Sequence, residues 1–405
     1  MNASPSVSVI VVNYQRAELL ARVLKALEFQ RYDNFELIVV SDIAEAERPH
    51  STLPVKWVHY DHPNISAARN RGLAQAAGQI VAFCDDDAVP EFRWLHHLVQ
   101  PYSDTRIGWA GGFIRGRNGV SFQWRAQTIN RRGEDANAVV TTDPWTVFEP
   151  DPDRVLNTVG TNCSFRRDAI IALGGFDEAY HYFLDEADMC VRMSDAGWCG
   201  AIVPLAEVHH GYAKGPYRRT SRVPKDLTQV AASMAHFLRV HGKDEDFEAA
   251  HSAFQAQQHR RVMQFFDAGL LDAVSHAALI ASLENGARIG AERVSCMATF
   301  DATPNDFAKA HVDVDAPQQK LIAGFFDRAR IRRKAKALAA EGVPITVYVP
   351  SFTHRNLVVE FSNNGYWIHE FGLLGHAVRE DKRRFRTPGR WVACEQLRVG
   401  PQRGL

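Results

Sequence analysis

Three short apolar runs limit what this chain can fold into. Ser6–Val12 contains VIVV, Phe35–Val40 contains LIVV and Ile80–Phe83 reads IVAF. A strand that is apolar on both faces has to be covered on both, as in a parallel sheet between layers of helix. Between the first two runs, Ala17–Phe29 carries Leu19, Leu20, Val23, Leu24 and Leu27 at helical spacing. Strand, helix and strand in this order form a right-handed crossover in nearly every case. Val55–Tyr60 adds a short strand, and Asn64–Ala77 reads as a helix with Ser66 as its N-cap and Gly78 at its end. No G-x-G-x-x-G follows any of these strands, so the dinucleotide fingerprint is missing. The expected class is α/β, with a parallel sheet flanked by helices.

The third run leads through Cys84 into Asp85, Asp86 and Asp87. Open α/β sheets bind ligands at the carboxyl ends of their strands. Three like charges this close repel unless a cation lies among them. Hard oxygen donors on a short loop suit Mg²⁺ or Mn²⁺, with phosphates completing the shell. Taken alone, the stretch fits three readings. It is a solvated acidic turn, a phosphatase of the haloacid-dehalogenase type with Asp85 as nucleophile and Asp87 as acid, or the D-x-D metal site of a nucleotide-sugar transferase. Asp42, at the end of the second strand, either accepts hydrogen bonds from a base or ribose or caps the next turn.

Lys+Arg and Asp+Glu both number 47, so no overall field draws nucleic acid. The charge is uneven, however: from Arg330 to Leu405 there are 14 basic residues against 6 acidic ones. This excess, densest at Lys382-Arg383-Arg384-Phe385-Arg386, suits peripheral contact with an anionic membrane or a solvated basic face. No apolar run approaches the ~20 residues of a membrane span, and MNASPSVSV lacks the basic region of a signal peptide. Six scattered cysteines without C-x-x-C argue for free thiols in a reducing cytoplasm rather than a zinc site.

SVIVVNYQR, ELIVVSD and NISAARNRGLAQAAGQIVAFCDDDAVP, in that order, resemble the nucleotide-binding half of an inverting family-two glycosyltransferase with the GT-A fold, which implies a Rossmann-like, mixed, mainly parallel sheet flanked by helices. The likeness extends over about residues 6–240. It implies that Asn13, Tyr14, Arg16, Asp42, Arg69, Asn70, Asp85 and Asp86 meet a nucleotide-sugar donor. It also implies that Asp87 and Asp85, with one histidine of VPLAEVHHG, His209 in preference to His210, hold Mn²⁺ or Mg²⁺. Phosphatases of the competing type usually open with their D-x-D strand, whereas strands and helices precede this one.

Further on, GGFDE (Gly174–Glu178) and then DEADMCVR are similar to the family segment in which an acidic pair opens a helix. The commoner family order is Glu-Asp and this chain has Asp185-Glu186. The general base carried over by position therefore falls on Glu186, with Asp185 as the second candidate. Asp188 and Arg192 are spaced as a structural i, i+4 pair. FLDEAD also reads as a helicase motif, but no G-x-x-x-x-G-K-[ST] loop accompanies it. Ile107–Ala138 and Val139–Val159 read as irregular strands and loops. In and after them, Trp124, Trp145, Gly175 and Phe176 are candidates for acceptor contact, and ordinary packing is the competing account of the tryptophans. The basic stretch Gly211–Pro224 reads as a lid over phosphates.

The resemblance implies metal-dependent, inverting transfer of a sugar from a nucleotide-sugar donor to a saccharide or lipid-linked acceptor in the cytoplasm. The swapped acidic pair leaves a non-catalytic, nucleotide-sugar-binding relative as the alternative. Residues 1–240 are expected to form the transferase domain, and 241–405 an accessory region, helical with a few strands.

Overall fold

In the computed structural model the three apolar runs lie side by side. The structure describes residues 4–404 apart from 142–143, 212, 214, 216, 218, 220, 244–246, 302–304, 379 and 382–384. The chain begins β1 (Val7–Asn13), α1 (Ala17–Leu27), β2 (Phe35–Ser41), β3 (Val55–His59), α2 (Ile65–Leu73) and β4 (Ile80–Asp85). The order β3-β2-β1-β4 is parallel throughout, with Val12 level with both Val40 and Asp85. The carboxyl ends of these strands therefore share one edge. Val9, Ile10 and Val11 are fully buried, and each such side chain contributes ~1.5–3 kcal/mol over an exposed one. The N-cap of α2 is Asn64, whose side chain accepts from Ala67 N at 3.1 Å. Ser66, two residues past the cap, is buried and donates to Tyr180 O at 2.7 Å.

The same half continues with β5 (Ala88–Pro90), α3 (Trp94–Leu98), β6 (Ile107–Arg115), β7 (Phe122–Trp124), β8 (Gln127–Asn130), β9 (Asp135–Asn137) and β10 (Thr146–Phe148). It closes with β11 (Arg154–Asn157), β12 (Cys163–Arg166), α4 (Arg167–Ala172), α5 (Asp185–Asp195) and β13 (Cys199–His210). From β4 the main sheet runs through antiparallel β12 to β6, then to β13, parallel to β6, and ends at β10. β8, β9 and β11 make a separate small antiparallel sheet. The glycine-rich stretch expected to be irregular is, over Ile107–Arg115, a fully buried strand. Its glycines give clearance: a Cβ on Gly112 would lie 1.8 Å from Ala206 O.

Three helices follow, α6 (Thr228–His241), α7 (Phe247–Asp267) and α8 (Ala273–Glu292), and their Met234, Phe237, Phe254 and Leu283 join the core of the main sheet. The remainder is β14 (Gln319–Ile322), α9 (Arg328–Ala340), β15 (Ile345–Ser351), β16 (Val358–Phe361), β17 (Trp367–Gly372) and α10 (Pro388–Arg403). These strands form a sheet of order β14-β15-β17-β16. A second core ties it to the first half, uniting Phe29, Val89, Phe92 and Val120 with Trp367 and Trp391. Among the described residues no helix is long and apolar enough to cross a membrane.

Candidate active site

A cavity of about 380 Å³ opens at the shared carboxyl edge, where Val12, Asn13, Val40 and Asp85 line it. The three consecutive aspartates there take different surroundings. Asp86 points inward and is fully buried. It accepts from Asn13 Nδ2 at 2.6 Å and Arg16 Nε at 2.9 Å, and Arg16 Nη2 lies 2.5 Å from its second oxygen. Burial pushes this carboxyl up to about 8 despite the pull of Arg16. Asp86 thus anchors the loop to β1 from beneath the cavity.

Asp85 and Asp87 face the cavity. Asp85 accepts from Thr161 Oγ1 at 2.6 Å. Asp87 lies 3.3 Å from His210 Nε2 and accepts from Ala213 N at 2.7 Å. Burial alone would raise Asp87, but the hydrogen bond and charge of His210 outweigh it and hold the carboxyl well below the usual range. Ligand atoms of Asp85, Asp87 and His210 all lie within 4.8 Å of one another, so these three residues could hold one cation.

Arg69 joins this loop to the second acidic cluster. It is buried on α2, with Nη1 against Asp185 and 2.9 Å from Glu186 Oε1, and Nη2 3.8 Å from Asp85 Oδ1. Asp185 and Glu186 open α5 directly after two non-glycine residues in the left-handed region, Phe183 (φ +76°) and Leu184 (φ +66°). Such backbone costs on the order of 1 kcal/mol or more per residue and survives where surroundings impose it. Here it turns the start of α5 onto the cavity. The two carboxylates titrate as a pair. Burial and then the charge of Glu186 push Asp185 well up, whereas at Glu186 burial is outweighed by the charge of Arg69 together with hydrogen bonds from Asp185, the backbone and Arg69, which hold it down. Glu186 is also the more open, its side chain 19% exposed against 3% for Asp185.

The remaining expected site residues divide. Tyr14 and Arg16 line the cavity, with Asn13. Asp42 lies off it and accepts from Gln15 N at 2.9 Å, which shapes the loop after β1. Asn70 clamps the Phe176 backbone through N–H and C=O, at 2.9 and 2.8 Å. Phe176 is fully buried against Phe83 and Phe165. Gly175 is a left-handed turn (φ +68°) packed on Asn70 and Phe300. Trp124 is buried and donates to Gln127 at 2.9 Å, and Trp145 packs on the main core. None of these four lines the cavity.

His209 needs correcting as a metal ligand. Neighbours on a strand point to opposite faces, and β13 aims His210 at Asp87 while His209 faces away, its Nε2 2.9 Å from Glu91 Oε1. Sequence reasoning also missed Thr161, Gln123 and Gly160. A Cβ on Gly160 would fall 1.8 Å from Arg69 Nη2 and 1.9 Å from Glu186 Oε1. Of the basic stretch read as a lid, Gly215 and Tyr217 line the cavity, while residues 212, 214, 216, 218 and 220 lie outside the described residues. Lys382, Arg383 and Arg384 lie outside them too.

The sequence model described as glycosyl transferase family 2 matches residues 8–173. The succinoglycan biosynthesis protein ExoM of Rhizobium meliloti is 30% identical over 259 residues, 59% of this chain and 79% of that protein. The chain belongs to glycosyl transferase family 2. Its Asp85–Asp87 loop and the β3-β2-β1-β4 order lie inside the matched segment. Membership sets aside the phosphatase reading. A glucosyl-dolichyl phosphate glucuronosyltransferase of Haloferax volcanii is 29% identical over 202 residues, 46% of this chain and 63% of that protein. Of two other curated relatives the chain spans 40% and 33% of the length. Among solved structures, a mannosyltransferase from Pyrobaculum calidifontis, in complex with GDP-Man and Mn²⁺, is 16% identical with a TM-score of 0.42, covering 71% of this chain and 88% of that one.

Proposed function

We propose that this protein transfers a sugar from a nucleotide-sugar donor to a hydroxyl of a saccharide or lipid-linked acceptor, with inversion, assisted by a divalent cation. The observation that carries the reading is the convergence of two acidic clusters on one cavity through Arg69. Relatives named for succinoglycan biosynthesis and for a dolichyl phosphate sugar support the two acceptor classes. Six free cysteines support a reducing compartment such as the cytoplasm.

Asp85, Asp87 and His210 fit a cation. Two carboxylates and an imidazole suit Mn²⁺, and the imidazole makes the set less apt for Mg²⁺, which favours oxygen. When bound, the ion offsets charge on the departing diphosphate. Asn13, Tyr14 and Arg16 border the same edge and hold the nucleotide end of the donor. Glu186, kept ionised by Arg69 and open to the cavity, takes the acceptor's hydroxyl proton. The freed oxygen forms its bond to the anomeric carbon from the face opposite the diphosphate, and the old carbon–oxygen bond breaks with its electron pair leaving on the diphosphate. Asp185, buried and protonated more readily, orients Arg69 and Glu186.

The test is nucleoside diphosphate release from a panel of sugar nucleotides with Mn²⁺, with and without acceptors. Glu186→Gln should lower kcat by ~10²–10⁴ and leave donor binding unchanged. Near wild-type transfer by Glu186→Gln beside a dead Asp185→Asn would move the base to Asp185. Donor binding without turnover across the panel would leave a non-catalytic binding protein.

A further inference from the structure

The cavity's cation residues are fastened from behind by the last turn of α10. Arg403, fully buried, donates Nε and Nη2 to the two carboxylate oxygens of Glu91 at 2.7 and 2.8 Å. Its Nη1 lies 2.8 Å from His369 Nε2 on β17, and Glu91 also meets His209. Around this pair, Arg93 N donates to Gln402 O at 2.9 Å and Glu91 N to Glu207 O at 3.0 Å, while Gln402 Nε2 reaches Glu207 Oε1 at 3.0 Å. Glu91 is the residue after β5, and β5 pairs Ala88 with His210 and Val89 with His209. Asp87 immediately precedes β5. The two segments that present Asp87 and His210 are thus held together at one buried carboxylate, and that carboxylate is held by Arg403.

We propose that Arg403 is a positioning residue for the cation site, fixing Glu91 and through it the spacing of Asp87 and His210. This rests on the reading of Asp85, Asp87 and His210 as cation ligands. A buried carboxylate that loses its guanidinium must find water or a proton. His209 still meets one oxygen of Glu91, and the other reaches water by shifting β5 against β13, which carries Asp87 with it. Groups that hold a metal's ligands in place typically change metal affinity 10–100-fold when altered.

The experiment is titration with Mn²⁺ alone, following free aqueous Mn²⁺ by electron paramagnetic resonance, with thermal melts to establish folding. Arg403→Met should bind Mn²⁺ about tenfold or more weakly than wild type, and Arg403→Lys, which keeps charge but not the two-point contact, should fall between. A folded Arg403→Met with wild-type Mn²⁺ affinity overturns the proposal. If Arg403→Met does not fold, Arg403→Lys decides by the same measure, and failure of both to fold overturns it by assigning Arg403 to the fold alone. Equal Mn²⁺ binding by wild type and Asp87→Asn would instead overturn the cation site itself, and the proposal with it.

Discussion

Gly160→Ala is the sharpest test of how the two acidic clusters are joined. The added methyl would start 1.8 Å from Arg69 Nη2 and 1.9 Å from Glu186 Oε1, where ordinary contact begins near 3.4 Å. Both groups must therefore retreat by about 1.5 Å, and a misplacement of that order can cost ~10²-fold in rate. Arg69 has little room, because Asp185 and Glu186 hold its other terminal nitrogen, Nη1, and the rings of Phe83 and Phe176 lie beneath it, 5.8 and 5.3 Å from the guanidinium carbon. The 2.9 Å contact between Arg69 and Glu186 is the one that yields. Breaking a buried pair outright costs ~3–5 kcal/mol; Arg69 keeps Asp185, so about half of that is expected. In a chain of this size ~2 kcal/mol lowers Tm by roughly 2 °C. The assays are a thermal melt and nucleoside diphosphate release. Gly116→Ala is the control, because its nearest atom would be 3.8 Å away. A Gly160→Ala protein with wild-type Tm and wild-type transfer would refute the bridge.

Two further outcomes are expected. Asp177 is buried and accepts from His236, Cys296 N and Ala179 N; these outweigh burial and lower its carboxyl to about 2. A depressed native value stabilises the fold above the unfolded value near 3.8 and loses that contribution as pH falls toward 2. The Tm of the wild type should then drop more steeply below pH 4 than that of Asp177→Asn, the full difference being about 2 kcal/mol; parallel curves would contradict it. Separately, the exposed Arg330, Arg332, Arg333, Lys334 and Lys336 of α9 predict co-sedimentation with anionic vesicles at low salt that is lost at high salt. No binding at low salt leaves a solvated basic face.

The strands β1, β2 and β4 were legible because runs such as VIVV are driven under cover whatever the rest of the chain does. The aspartate triplet and the pair opening α5 were legible because carboxylates grouped at element ends are costly without a purpose. What stayed hidden depended on neighbours distant in sequence. The glycines of β6 look like breaks locally, yet Gly112 is demanded by Ala206 across the sheet. The choice between His209 and His210 turns on a strand register set by β5, and a one-residue change of register exchanges the faces. Trp124 and Phe176 were candidates for binding as large aromatics, and burial claimed both. Gly160 carries no motif at all; its meaning lies in two side chains brought to it by α2 and α5.

The pairing of Glu91 with Arg403 also sets a schedule. The two are 312 positions apart, so at ~5–20 residues per second a ribosome needs roughly 15–60 s to deliver the arginine after the glutamate. Until then β5 carries a carboxylate destined for the interior with no guanidinium to receive it, and Val89 and Phe92 lack the tryptophans that later cover them. During synthesis the nascent first half therefore exposes apolar surface that the finished fold covers. Its yield should respond to chaperone supply and to translation rate more than the stability of the finished fold would suggest.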